Sequence, residues 1–368
     1  MFIRRRQLAE CSPLQVEKNR VGTHADVAGA VIDVEASNRC NATCEFCPRH
    51  LTPHQGHMTP RTFGKVLERA LEFRALVQDL RAGLLDFSFC GLGEGLLNPD
   101  LPAYMSRASD AGFKPGLCSN AHLLDRRRAA TLLDAGLADV FLNVGEIGDQ
   151  YDAIYGLPFA EAQRNVDDFM ELARGRCNVW IVVVDHRMDP EHVARIEHYW
   201  RARGVHMFFP SPMLNRAGAQ LDERLDFRQH GREAEARQLF NGEIPGCVAP
   251  RKCITIGYDG RYYICNSDWR KEESAGTVFE LSVIEAIDDH FRRSCDRENA
   301  ICRRCNHDPL NQVSRLLDSG ADPALTGHAV AIARERQVHV ERFLGAARRG
   351  GHLSTAPGPE IIPARQAR

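Results

Sequence analysis

The chain reads as an α/β protein, an open, partial (β/α)6 TIM-like barrel followed by a cysteine-rich C-terminal domain. Two observations predict this. Short apolar runs alternate six times with helix-period segments between about residues 31 and 210, and the cysteines gather into one group near the start of that stretch and another beyond its end. Strand and helix in alternation imply parallel strands joined by right-handed crossovers. Six such units, where a closed barrel uses eight, leave the sheet open.

Taken in order, strands are expected at 31–36, 84–90, 114–118, 139–144, 178–184 and 205–209, with helices near 60–80, 100–111, 126–135, 160–174 and 190–203. Thr59-Pro60 marks the start of the first helix, since proline fits a first helical turn whose N–H groups have no partner anyway. Four regions follow: an N-terminal extension 1–28, the barrel 29–225, an auxiliary cysteine domain 240–310, and a helical extension with a Gly/Pro-containing tail over 311–368.

Composition narrows the function classes. A net charge of -2 over 368 residues gives no field to attract nucleic acid or an anionic membrane, so a small or locally recognised polar substrate is expected, and neither nucleic acid nor membrane is expected as a partner. Thirteen cysteines in a chain this long are too sparse for a disulfide scaffold, and the sequence shows neither a signal peptide nor an apolar membrane span. Clustered cysteines then point to metal ligation in a reducing, cytoplasmic compartment.

Cys40, Cys44 and Cys47 stand in the run Cys40-Asn-Ala-Thr-Cys44-Glu-Phe46-Cys47. Three thiolates, with no second pair close behind, differ from a zinc knuckle, whose four ligands come as two pairs. The C-x3-C-x2-C spacing with an aromatic residue before the third cysteine resembles the signature of the radical S-adenosylmethionine (SAM) enzymes. That resemblance implies a [4Fe-4S] cluster whose open iron chelates SAM, reductive cleavage to a 5'-deoxyadenosyl radical, abstraction of hydrogen from a C–H bond, and a flavodoxin or ferredoxin type reductant as partner. It also implies the partial barrel, with ligands at the C-terminal ends of the strands.

The loops after the strands extend the resemblance. Cys90-Gly91-Leu92-Gly93-Glu94-Gly95 is similar to the family's Gly-Gly-Glu-Pro loop, with Gly95 in place of proline, and assigns Gly91, Gly93 and Glu94 to the SAM ammonium group. Cys118-Ser119-Asn120 resembles a Thr-Asn-Gly element, placing Ser119 and Asn120 at SAM or in an Asx-type turn. Asn143 holds a position where the family often has serine. Asn215-Arg216-Ala-Gly resembles an Asn-Arg-x-Gly loop, which makes Arg216 a partner for the SAM carboxylate, a polar substrate or a surface carboxylate. Asp185, ending the fifth strand, is a further pocket candidate.

The second group comprises Cys247, Cys253, Cys265 and the pair Cys302-Arg-Arg-Cys305. A Gly-x4-Cys step on an Asp259-Gly260 hairpin with a distant C-x2-C resembles the SPASM auxiliary domain and its shortened form, twitch. Because no cysteine follows Cys305, one auxiliary [4Fe-4S] cluster is expected; the resemblance to twitch implies Cys247, Cys265, Cys302 and Cys305 as its ligands, with Cys253 as the alternative first ligand, and a zinc ribbon is the competing reading.

An auxiliary cluster could accept the electron left on a substrate radical, giving net dehydrogenation. Asn266, where the better-known maturases have aspartate, turns the resemblance toward enzymes that oxidise or epimerise amino sugars and aminocyclitols in antibiotic biosynthesis, with Asp268 as a candidate base. Epimerisation would need a thiol hydrogen donor, for which Cys118 and Cys253 are best placed. Cys11, Cys90 and Cys295 read as packed or incidental, and Cys177 as lying at the wrong end of its strand. Modification of a ribosomal peptide, and a non-catalytic iron-sulfur or zinc protein, are the alternatives. His54, His57 and Met58 read as loop packing.

Overall fold

The computed structural model describes residues 30–77, 85–219, 225, 231–241, 247, 249–297 and 299–334. The N-terminal extension, Cys11, the side chain of Cys295 and the tail from Gly350 lie outside the described residues.

Alternating burial builds the sheet. In β1 (Ala30–Val34) Ile32 and Val34 are fully buried, and in β2 (Leu85–Phe89) Phe87 and Phe89 face the same way. They meet Phe63 of α1 (Pro60–Val77), Tyr104 of α2 (Leu101–Asp110) and Phe113 in a continuous set of ring contacts. Each such ring removed from water contributes about 1.5–3 kcal/mol, so this face carries the helices. The opposite set, which includes Asp33, Ser88 and Cys90, is left for the inner face of the sheet.

β3 (Pro115–Ser119), α3 (Arg126–Asp134), β4 (Asp139–Asn143), α4 (Asp149–Tyr155), α5 (Phe159–Leu172), β5 (Asn178–Asp185), α6 (Pro190–Ala202) and β6 (Met207–Pro212) complete the barrel. Side-chain caps start α3 and α6. Asp125 accepts the N–H of Arg128, and Asp189 accepts that of Glu191 just before Pro190. The six strands pair in chain order, each parallel to the next. The α/β partial barrel expected from the alternation is thus what forms. The short helix α4 was not expected, and the sixth strand runs beyond 209 to Pro212.

The auxiliary segment joins the same sheet. α8 (Ala249–Lys252) leads into β7 (Cys253–Ile256), which lies parallel to β1 on its other side, and β8 (Arg261–Tyr263) and β9 (Ser274–Thr277) follow antiparallel. Among the described residues the order is β6-β5-β4-β3-β2-β1-β7-β8-β9. α9 (Val283–Asp296), opened by a capping box of Ser282 and Glu285, leads to α10 (Ala300–Arg304) and α11 (Pro309–Asp318). α11 packs on α7 (Glu233–Leu239) around Phe240, Leu310, Val313 and Val330, a small core separate from that of the barrel.

Candidate active site

The first cysteine loop leaves β1 through Glu35 to Asn38 and is tied down at both ends. Asn38 donates to the His54 carbonyl and accepts from the Gly56 N–H, each at 2.8 Å, while Thr43 and Glu45 donate their N–H groups to Tyr155 and Ile154 at the end of α4. Met58 is buried in the core. The thiols of Cys40, Cys44 and Cys47 are thereby brought near one another: burial pushes Cys40 up to about 11 and Cys44 higher still, and the charge of Cys47 adds to both. Thiolates there require a cation among them. That donor set fits a [4Fe-4S] cluster, which soft sulfur ligands favour.

Glu94 lies fully buried beside the triad. Its carboxylate accepts from Ser119 Oγ at 3.1 Å, the Asn120 N–H at 2.9 Å and the Leu96 N–H at 3.1 Å; burial raises its pKa and those bonds only partly offset it. Asn120 reaches back to Cys40 Sγ at 3.8 Å and to Asn41 Oδ1 at 2.9 Å. One chain of contacts thus runs from the second loop through the third to the cluster loop. Gly91 and Gly93 are glycine for space: a Cβ would drive into the Glu35 side chain at the first and into the Ser37–Asn38 backbone at the second. Asn143 Oδ1 accepts from Tyr155 Oη at 3.1 Å, and the Tyr155 ring packs edge-on against Phe46.

Four cysteines form the second group. The charges of Cys247, Cys265, Cys302 and Cys305 act on one another, and burial pushes Cys265 and Cys302 up to about 12 and Cys305 to about 11. These are the four that the resemblance to a twitch domain implies for one auxiliary centre, and the same argument from buried thiolates applies. Cys253 instead opens β7, abreast of Val31 near the start of β1, toward the end of the sheet opposite the triad.

The second group lies against the inner face of the barrel. Asn266, next to Cys265, donates to Asp33 Oδ2 at 3.2 Å, and Arg216 donates to the Asn266 carbonyl at 3.2 Å while its charge bears on the thiols of both Cys90 and Cys265. Arg216 therefore stands between the barrel interior and the second group. Asn215, fully buried, is engaged in docking this segment through Arg304 and Asn306. Lys271 pairs with Glu35 at 2.9 Å, both buried.

Two candidate catalytic carboxylates are engaged elsewhere. Asp268 accepts the N–H groups of Glu272 and Glu273, closing the turn after Cys265, and Asp185 accepts that of Asp189 ahead of α6. Cys118 and Cys90, by contrast, stand abreast on neighbouring strands, and Cys118 pushes the Cys90 thiol up, although Cys90 reads from sequence as incidental. A further cluster escaped sequence reasoning. Fully buried Glu146 lies 3.1 Å from His192 and 3.3 Å from His186, with Arg187 at 3.0 Å on the same oxygen. Burial would raise this carboxyl, but His186, His192 and Arg187 outweigh it and hold it low. His186 stacks on Phe46 of the triad motif at 6.0 Å. The available signal was that Glu146 and His186 both follow the C-terminal ends of strands.

Comparison with known proteins agrees. The profile of the Radical SAM superfamily matches residues 34–199. The PqqA peptide cyclase of Bradyrhizobium diazoefficiens is 31% identical over 295 residues, covering 74% of this chain and 71% of that protein. The chain belongs to the radical SAM superfamily. Shorter matches are to the PqqA peptide cyclase of Rhodopseudomonas palustris, 33% identical over 121 residues, and to the S-adenosyl-L-methionine-dependent 2-deoxy-scyllo-inosamine dehydrogenase of Niallia circulans, 27% identical over 114 residues. These span 32% and 29% of this chain, and only 30% and 42% of the relatives' own lengths. Among solved structures, anSMEcpe with bound AdoMet and a peptide superposes with a TM-score of 0.53 at 15% identity over 87% of this chain and 99% of that one, which shows the shared fold. Streptococcus suis SuiB bound to its precursor peptide SuiA gives 0.54 at 13% identity, covering 84% and 79%. As a radical SAM enzyme the chain uses a [4Fe-4S] cluster and SAM with an external reductant. Among the described residues no helix is long and apolar enough to cross a membrane.

Proposed function

We propose that this radical SAM enzyme carries out the two-electron oxidation of a small polar substrate bearing a hydroxyl or amine, an amino sugar or aminocyclitol, held between the two cysteine groups. Held by Cys40, Cys44 and Cys47, a cluster with SAM supplies the hydrogen-abstracting radical, and a second cluster on Cys247, Cys265, Cys302 and Cys305 supplies an electron acceptor. The observation that carries this reading is the run of contacts from Asp33 through Asn266 to Arg216, which sets Cys265 of the second group against the inner face of the barrel, whose first strand leads into the loop of Cys40, Cys44 and Cys47.

The chain's own residues then divide the work. Glu94, positioned by Ser119 and Asn120, receives the SAM ammonium group, with Gly91 and Gly93 letting the backbone approach. Arg216 holds an anionic or hydroxyl group at the far end of the pocket. Asp33, on the inner face and next to Asn266, is the acceptor for the substrate proton, because both oxygens of Asp268 are committed to its turn. Phe141 and Trp180, stacked at 5.8 Å deeper on the inner face, form an apolar floor.

Modification of a peptide is a second reading, favoured by the length of the match to the PqqA peptide cyclase. Incubation of the reduced holoenzyme with SAM and either 2-deoxy-scyllo-inosamine or a PqqA peptide separates the two. The first reading expects 5'-deoxyadenosine above background and a product lighter by two hydrogens with the aminocyclitol alone. Stimulation by the peptide alone overturns it in favour of the second.

A further inference from the structure

Residue pairing across β2 and β3 is in register, Phe87 with Pro115, Ser88 with Gly116 and Phe89 with Leu117, which sets Cys90 abreast of Cys118. The strand continues through Cys90, whose N–H donates to the Val34 carbonyl at 3.1 Å. Abreast positions on neighbouring strands are about 4.8 Å apart and point to the same side. That side is the inner face, since Phe87, Phe89 and Leu117 occupy the buried outer one. Both thiols are free and both are half-buried. Asp33 and Arg216 are the charged neighbours of Cys90.

We propose that Cys90 and Cys118 are a redox-active dithiol on the inner wall of the barrel, which an oxidant of the small-molecule disulfide class converts reversibly to a Cys90–Cys118 disulfide. The step balances by exchange: two protein S–H groups and one R–S–S–R give one protein disulfide and two R–SH, with two electrons passing to the small disulfide. The strand spacing falls within the range of Cα separations that disulfides span, about 4.4–6.8 Å. The consequence rests on the radical reading above. In the dithiol state the wall offers S–H hydrogen to a carbon radical in the pocket, and in the disulfide state it offers none, leaving electron loss as the exit.

The site can be tested without a substrate. Anaerobic holoenzyme is equilibrated with oxidised and reduced glutathione at graded ratios, blocked with N-ethylmaleimide and digested with trypsin. Cys90 and Cys118 then lie in separate peptides, 82–107 and 108–126, each with a single cysteine. The expected result is one cross-linked species joining these peptides, dominant at the oxidised end and abolished by dithiothreitol, with Cys90→Ser and Cys118→Ser each leaving the other thiol open to the label. Both peptides labelled singly, or each carrying glutathione, at every ratio would overturn the proposal while leaving the radical SAM reading intact. That reading is measured separately, as 5'-deoxyadenosine formed by the same preparations.

Discussion

Asn215 and Asn306 hold each other's backbone. The N–H of Asn215 donates to Asn306 Oδ1 at 3.1 Å, and the N–H of Asn306 donates to Asn215 Oδ1 at 3.2 Å. Their amide groups add bonds to the carbonyls of Arg304 and Met213, at 2.6 and 3.3 Å. The loop after β6 is thereby locked to the segment carrying Cys302 and Cys305.

Asn215→Ala removes the centre of this lock and leaves the Asn306 N–H and the Arg304 carbonyl without their partners. A buried polar group left unmade costs about 1–3 kcal/mol, so a loss of about 3 kcal/mol is expected in denaturant unfolding. Iron content should fall toward that of the triad alone. A change below about 0.5 kcal/mol, the ordinary range of surface substitutions, would contradict the assignment.

Glu35 and Lys271 form a buried pair across the mouth. Lys271→Met leaves the carboxylate buried without its cation and should cost about 3–5 kcal/mol, whereas Glu35→Gln combined with Lys271→Met should recover most of it. Urea midpoints for the two single variants and the double variant measure this. A double variant as unstable as Lys271→Met would argue against a charge effect.

Gly93 and Gly95 should differ sharply. A Cβ at Gly93 meets the backbone of Ser37 and Asn38, which cannot yield without moving the cluster loop, while one at Gly95 meets Leu117 at an ordinary 3.4 Å. Gly93→Ala is expected to weaken SAM binding by at least about 1.4 kcal/mol, tenfold, and Gly95→Ala by far less. Equilibrium binding of SAM to the reconstituted variants gives both values.

His290 sets an acid limit to stability. Burial lowers its pKa from 6.5 to about 4, and its Nε2 lies 3.2 Å from the Tyr262 carbonyl, the contact of a neutral ring that donates its proton. A base whose pKa is depressed on folding contributes fully above its unfolded value and loses that contribution as pH falls, here between about 6.5 and 4, by about 3 kcal/mol. Comparing the unfolding free energies of the wild type and His290→Gln across that range isolates it, with a flatter profile expected for the variant. Parallel profiles would contradict the assignment.

Much of this architecture was legible because the signals were local. Apolar alternation fixed the six strands of the barrel, and fixed ligand spacing marked Cys40, Cys44 and Cys47. What escaped depends on register and distance. Cys90 and Cys118 meet only because β2 and β3 pair without offset, and no pattern within either strand encodes that. Glu146 and His186 meet because they end adjacent parallel strands. Asp268 looked available from its place after Cys265, but the turn it closes takes both its oxygens. The pairing of β7 with β1 likewise joins positions far apart in the chain, Val31 with Cys253, beyond the reach of local pattern.

The central claim is that Cys40, Cys44 and Cys47 hold the centre that cleaves SAM. The most direct measurement is 5'-deoxyadenosine released when anaerobically reconstituted protein is reduced with dithionite in the presence of SAM, set beside Cys40→Ala, Cys44→Ala and Cys47→Ala. Formation by the wild type, absent in all three variants and retained in Cys265→Ala, is the predicted result. Equal yields from the wild type and the triad variants, or none from any, would contradict it.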